Sequence, residues 1–179
     1  FPGAESGIVT RISPYQWISI LFIILASLFM ILTLFRFWRA DITYALGFNL
    51  DRAGEYQEGY PALHKAVELR GSELVFKDEL SINNAIIAAA LLTQQPAADQ
   101  KEQAISVASA LAQEAIATSD EIVSKSPNNA VFWKTRTKVF YTLSQVESRY
   151  LPRAMDAIQK ASLLAPNDAN IIYNLGVLY

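Results

Sequence analysis

Few side chains in this sequence are of types and spacings that could do chemistry. Lys134 and Lys138 stand one helical turn apart, so both ammonium groups can face the same side and meet a carboxylate, with the amide of Asn174 further on. The alternative for the two lysines is an ordinary solvated face. His64 is the single histidine and there is no cysteine, which removes Ser–His, Cys–His and multi-His sites, thiolate metal sites and disulfides. The carboxylate pairs Asp78/Glu79 and Asp120/Glu121 are adjacent in sequence, so on helices their side chains point in different directions and cannot act as a facing pair. Neither a Gly-rich phosphate loop nor a nucleophile elbow is present. No catalytic residue, no cofactor and no metal is therefore expected in this segment.

The elements that must carry these residues begin with an uncharged stretch, Ile12 to Phe35, of Ile, Leu, Phe and Met with Ser19, Ser27 and Thr33 as its small polar residues. As a helix it is long enough to cross a hydrocarbon core of about 30 Å with some tilt. Tyr15 and Trp17 at one end and Trp38 at the other match interfacial aromatic belts. Ser13-Pro14 offers an N-cap followed by a first-turn proline. Arg36, Arg39 and Arg52 flank or come after the C-terminal end and Arg11 flanks the other, which favours the cytoplasmic side for the helical domain, although earlier spans could set the topology instead. The expected organisation is a loop over residues 1–13, a transmembrane helix over 14–39 and a helical domain over 40–179. Because the sequence starts at Phe1 rather than Met and stops at Tyr179 within an expected helix, it reads as a piece of a longer protein.

From Ala40 onward the chain carries 12 Lys/Arg and 16 Asp/Glu, and this mild acidity argues against general nucleic-acid binding. Here the sequence repeats itself. Ala, Ile, Tyr, Leu and Gly recur at the same offsets in Ala40–Gly47 and Ala169–Gly176, and Pro-Asn-x-Ala recurs at Pro127–Ala130 and Pro166–Ala169. In the first copy Ala40–Ala53 is expected to form one helix ended by Gly54, and a second helix starts at Tyr56 with Gly59, Leu63 and Ala66 on one stripe. Small residues at 47, 59 and 66 let the two helices approach, with Leu46, Leu50, Tyr56 and Leu63 filling the space between. Gly71, Pro127 and Pro166 mark the ends of second helices. Between Pro14 and Phe48 the only glycine is Gly47 and there is no second proline, so the membrane helix is expected to continue without a break to about Ala53, fixing the array rigidly to the bilayer.

Residues 40–71 resemble the tetratricopeptide repeat family, with Leu46-Gly47 at its Leu-Gly pair, Leu50 and Tyr56 at aromatic-type positions, Gly54 at the turn, and Gly59 and Ala66 at the two small positions. The resemblance implies an all-α chain: one transmembrane helix followed by an α-solenoid of helix hairpins, with units at about 40–73, 74–129, 130–168 and 169–179, the last truncated. Unit two is long, with helices expected over about 74–93 and 99–125 joined by Gln94–Asp99. In unit three Trp133, Ala154, Ile158, Ala161 and Pro166 are in register, while Arg136-Thr137 replaces the Leu-Gly pair.

Such arrays are scaffolds whose first helices line a groove for a peptide or a partner's helix. The resemblance places Asp41, Tyr44 and Phe48 of unit one, Val75, Asp78 and Ile82 of unit two, Lys134, Lys138 and Tyr141 of unit three, and Asn170, Tyr173 and Asn174 of unit four on that groove. The family's carboxylate clamp needs a Lys and Asn pair in an earlier unit, where this chain has Tyr44 and Phe48. The implied function is a membrane-anchored scaffold for protein–protein interaction, non-catalytic in this segment, with the lipid bilayer and a protein or peptide as partners. A span followed closely by such repeats also resembles the C-terminal part of O-antigen ligase/polymerase-like bacterial membrane proteins. That would imply a bacterial inner-membrane location, and a lipid-linked glycan as substrate of the whole protein.

Overall fold

The computed structural model describes residues 13–94 and 99–178. Residues 1–12 of the loop expected over 1–13, Arg11 among them, the middle of the 94–99 connection and Tyr179 lie outside the described residues. Those described are helical, with no strand among them: α1 (Pro14–Ala53), α2 (Tyr56–Leu69), α3 (Leu74–Thr93), α4 (Lys101–Lys125), α5 (Ala130–Ser144), α6 (Leu151–Leu164) and α7 (Ala169–Leu178), with a short 3-10 turn at Ser148–Tyr150. The chain divides into two compact units, Phe1–Trp38 and Arg39–Tyr179.

In the first unit α1 starts where the Ser-Pro pair directs it. Ser13 N–H donates to Gln16 Oε1 (2.7 Å) and Gln16 N–H to Ser13 Oγ (3.4 Å), a reciprocal cap that satisfies two otherwise unpaired donors. Ser19 Oγ donates to the carbonyl of Tyr15 (3.1 Å) and Thr33 Oγ1 to that of Phe29 (2.8 Å), so these two hydroxyls need no partner outside the helix. The apolar window of α1 has a mean hydropathy of 2.8 and none of it is buried. One helix is thus long and apolar enough to cross a membrane. α1 itself runs unbroken to Ala53.

The stop at Ala53 is a backbone motif. Gly54 has φ +85°, its N–H donates to the Asp51 carbonyl (3.0 Å), and the Glu55 N–H donates to that of Leu50 (2.9 Å). Only glycine takes this left-handed turn without strain while closing both carbonyls. The repeated Pro-Asn-x-Ala motif proves to be a helix start. Asn129 Oδ1 accepts from Val131 N–H (3.0 Å) before α5, and Asp168 Oδ1 accepts from Asn170 N–H (2.9 Å) before α7.

Within Arg39–Tyr179 each helix from α2 to α6 packs on the next, and α3 also lies against α5. Ala40, Ala66 and Phe76 join the end of α1 to α2 and α3. Ala85, Ala88, Ala108, Ala115, Val139 and Leu143 join α3, α4 and α5, where alanine lets backbones come close. Ile158, Ala161 and Ile171 join α6 to α7. The stripe Gly59, Leu63 and Ala66 is the buried face of α2, as its spacing predicts. Leu46 departs from expectation: it is 54% exposed rather than between the helices. The buried face of α1 runs through Ala40, Gly47 and Asp51, and Leu46 lies about 100° around the helix from Gly47.

Arg136, where the resemblance leads us to expect leucine, is held by charge. Its side chain is 13% exposed, with Nη1 at 2.6 Å from Asp120 Oδ1 and donating to Ser119 Oγ at 3.2 Å. The guanidinium lies 4.7 Å over the Phe140 ring, with that of Arg153 4.3 Å from the same ring. Arg136→Ala would leave Asp120 and Ser119 without this donor and uncover Phe140. A loss of about 1–3 kcal/mol is expected in the unfolding free energy, and Arg136→Lys should restore only part of it because it lacks the planar fork. Thermal unfolding of the three proteins would check this.

Candidate functional site

Two recesses open along the first helices of the pairs. One, of about 460 Å³, lies between the end of α1, α3 and α5, with Phe48, Asp51, Glu79, Ile82, Lys138 and Tyr141 among its walls. The other, of about 140 Å³, lies between α5, α6 and α7, lined by Lys134, Lys138, Tyr141 and Asn174, with Ile158 at its base. Lys138 and Tyr141 belong to both.

Of the groove residues read from sequence, Lys134, Lys138, Tyr141 and Asn174 are brought together around the smaller recess, and Phe48 and Ile82 line the larger one. Tyr44 lies on the same face of α1 as Phe48. It stacks on Phe76 (4.5 Å) and Phe48 (5.8 Å), and burial, helped by Glu79, Asp78 and Asp51, pushes its hydroxyl up to about 12. Asp41 is drawn away to Arg70 (3.6 Å). Val75, Asn170 and Tyr173 are exposed, and none of the three lines either recess. His64 faces Glu68 (Nδ1 to Oε1 3.4 Å) and the ring of Tyr60, away from both.

The lysine pair is not bare. Lys134 Nζ lies 3.0 Å from Asp168 Oδ2, and this partner holds the Asp168 carboxyl below its usual range. Lys138 lies near Asp78 and Glu79 and favours their ionised forms, though neither carboxylate has a cation at ion-pair distance among the described residues. Burial dominates at Asp78. It raises the carboxyl to about 7, against the opposing pull of the Thr135 hydroxyl and Lys138.

Asp51 and Asn83 escape sequence reasoning. Asp51 is 6% exposed and Asn83 fully buried, and Asn83 Nδ2 donates to Asp51 Oδ1 (2.7 Å) and to the Tyr56 carbonyl (2.9 Å). Asp51 Oδ2 and Asn83 Oδ1 have no hydrogen-bond partner among the described residues. Desolvation raises the Asp51 carboxyl from 3.8 to about 6 despite the Asn83 bond. The available signal is that Asp51 is one turn beyond Gly47, on the helix face that the small residues close.

These shifts give a pH dependence with a definite sign. The folded chain holds the protons of Asp51 and Asp78 more tightly than the unfolded chain does. Their contribution to stability is complete below about 3.8 and is lost as pH rises through about 6 and about 7. Glu121 and Asp168, held down by their lysines, act oppositely at more acid pH. Asp51→Asn should therefore raise the unfolding midpoint at pH 8 and flatten its decline between about pH 4 and 6. The new amide can also donate to the orphaned Asn83 Oδ1. A midpoint that falls at pH 8 in the variant would contradict the assignment.

The recesses hold no group of three or more metal-ligating side chains among the described residues. Their chemistry is that of binding: aromatic and aliphatic walls with a few charges.

No protein-family model and no curated protein matches this sequence.

Proposed function

We propose that this chain is a membrane-anchored scaffold of the tetratricopeptide kind, in which the apolar part of α1 spans a bilayer and the first helices of successive pairs hold a segment of a partner protein. The observation that carries the reading is the placement of the two recesses. One is lined largely from α1, α3 and α5 and the other largely from α5 and α7, and they share Lys138 and Tyr141 on α5. The neighbour pattern supports it: α3 packs on α4, α5 on α6, and α3 lies beside α5. The basic residues Arg36 and Arg39 support a cytosolic array.

Selection of random peptides against the full chain in lipid nanodiscs tests the groove. Selected binders should lose at least tenfold in affinity for Phe48→Ala/Tyr141→Ala and keep it for Leu163→Ser, a substitution on the exposed side of α6. Binders indifferent to Phe48 and Tyr141 would place recognition elsewhere and sink the reading. The side of the membrane is open to direct labelling because the chain lacks cysteine. A single Glu58→Cys should react with an impermeant maleimide only after the cells are opened.

A further inference from the structure

We propose that the recess between α1, α3 and α5 is a subsite for one basic side chain, lysine or arginine, of the bound segment, with Asp51 Oδ2 as its principal acceptor and Glu79 as its second. The subsite rests on the reading of the chain as a peptide-binding groove and names what that groove selects.

The recess has an acceptor with nothing to accept. Asn83 spends one amide proton on Asp51 Oδ1 and the other on the Tyr56 carbonyl, so it has none for Oδ2. Asp51 lines the recess, and its Oδ2 is buried and, among the described residues, without a hydrogen-bond partner. An ionised carboxylate in that position is costly unless a cation or donor meets it. The chain's own cations do not. Among the described residues no Lys or Arg lies at ion-pair distance from Asp51 or Glu79, Arg52 lies over the Phe48 ring at 5.8 Å, and Lys138 is exposed on the opposite helix.

The walls fit the stem of a basic residue as well as its head. Phe48, Tyr56, Ile82, Ile86 and Tyr141 line the recess together with the two carboxylates and offer apolar surface to a stem. That is the environment in which three or four methylenes are buried behind a charged tip. A volume of about 460 Å³ admits such a side chain with part of its backbone. Charge on the larger scale agrees: residues 40–130 carry 13 acidic and six basic side chains. Lys138 and Arg52 at the rim set a limit, because they disfavour a second cation beside the first.

The test uses the full chain in detergent micelles, with ¹³C-labelled Asp and Glu carboxyls and Ile methyls, titrated with n-butylguanidinium. The Asp51 carboxyl signal should move saturably, and its titration midpoint should fall by about one pH unit or more as the cation favours the ionised form. n-Butanol, with the same stem and no charge, should move the Ile82 and Ile86 methyls without shifting that midpoint. Glu79→Gln should weaken the guanidinium at least threefold, and Asp51→Asn should abolish the saturable part. Should Asp51→Asn fail to fold, the wild-type midpoint and Glu79→Gln still decide. An unmoved Asp51 midpoint, equal binding to Asp51→Asn, or saturation by n-butyrate instead would each overturn the subsite. A guanidinium response without any selected peptide would leave the subsite and remove the scaffold. Peptide binders with no Lys or Arg preference and no guanidinium response would do the reverse.

Discussion

Gly47→Ala is expected to destabilise the helical array by about 3 kcal/mol, while the same change at Gly176 leaves it unchanged or slightly more stable. A Cβ at position 47 would stand 2.6 Å from Leu63 Cγ, 2.9 Å from its Cδ2 and 3.0 Å from its backbone nitrogen. Leu63 could turn its side chain, but it is fully buried and has no space to turn into, and its backbone belongs to α2. The helices must then separate, loosening Ala40, Ala66 and Phe76 around the same junction. From the opposite side, a Cβ on Gly59 would meet Asp51 Oδ1, with the Gly47 carbonyl at 3.1 Å and Leu50 Cβ at 3.4 Å. The two glycines form one contact, so Gly59→Ala should cost a similar amount and the double variant less than the sum. Gly176 occupies the matching repeat position with nothing within 4 Å, and there alanine gains helix propensity of about 0.5–1 kcal/mol. Far-UV circular dichroism melts of the three variants would separate the outcomes, with the Gly47 midpoint lower by roughly 10 °C. Equal midpoints for Gly47→Ala and Gly176→Ala would mean that α1 and α2 are not in this close contact.

The same glycines show what could be read in advance and what could not. Small residues at helical spacing announce a close crossing whatever the partner, so the stripe Gly59, Leu63, Ala66 and the stop at Gly54 were legible, as were the helices of the long second pair. α3 is Leu74–Thr93 as expected, and α4 starts at Lys101, two residues later than expected. These are properties of local backbone and period. Leu46, Arg136 and Asp51 were not legible for the opposite reason: each depends on which neighbour it meets. Hydrophobicity assigned Leu46 to the interior, yet the face set by Ala40, Gly47 and Asp51 leaves it outside. Arg136 looked like a break in the repeat, but it reaches Asp120 of α4 and Phe140 on its own helix. Asp78 and Glu79, as neighbours on one helix, point in different directions. Asp51 and Glu79 are far apart in sequence, and two different helices bring them to one recess. The carboxylates that matter are selected by tertiary packing, which periodicity does not encode.

The largest expected effect lies in the proposed span. Leu25→Arg together with Phe29→Arg should abolish membrane insertion of the chain. Leu25 and Phe29 lie one turn apart near the middle of the apolar stretch, 55% and 70% exposed, so neither touches protein that could shelter a charge. An arginine near the centre of a spanning helix costs about 2.5–3.5 kcal/mol on insertion scales, and a pair on one face roughly twice that. Snorkelling does not rescue both, because each position lies at least about two turns from either aromatic belt at Trp17 and Trp38. Leu25→Ala with Phe29→Leu keeps the stretch apolar and should insert normally. The readout is resistance to alkaline carbonate extraction of the full chain, which the wild type and the apolar variant should show and the doubly charged variant should lose. A helix seated in a protein core would respond differently, since replacing buried Leu and Phe by Arg would unfold that core and shift the whole melting curve. Here the array has its own buried clusters beginning at Ala40, none of which includes residue 25 or 29. Its melt should therefore stay within a few degrees of wild type while the membrane fraction empties. Retention of the doubly charged chain in the carbonate pellet, with an intact melt, would mean that lipid is not what surrounds this helix.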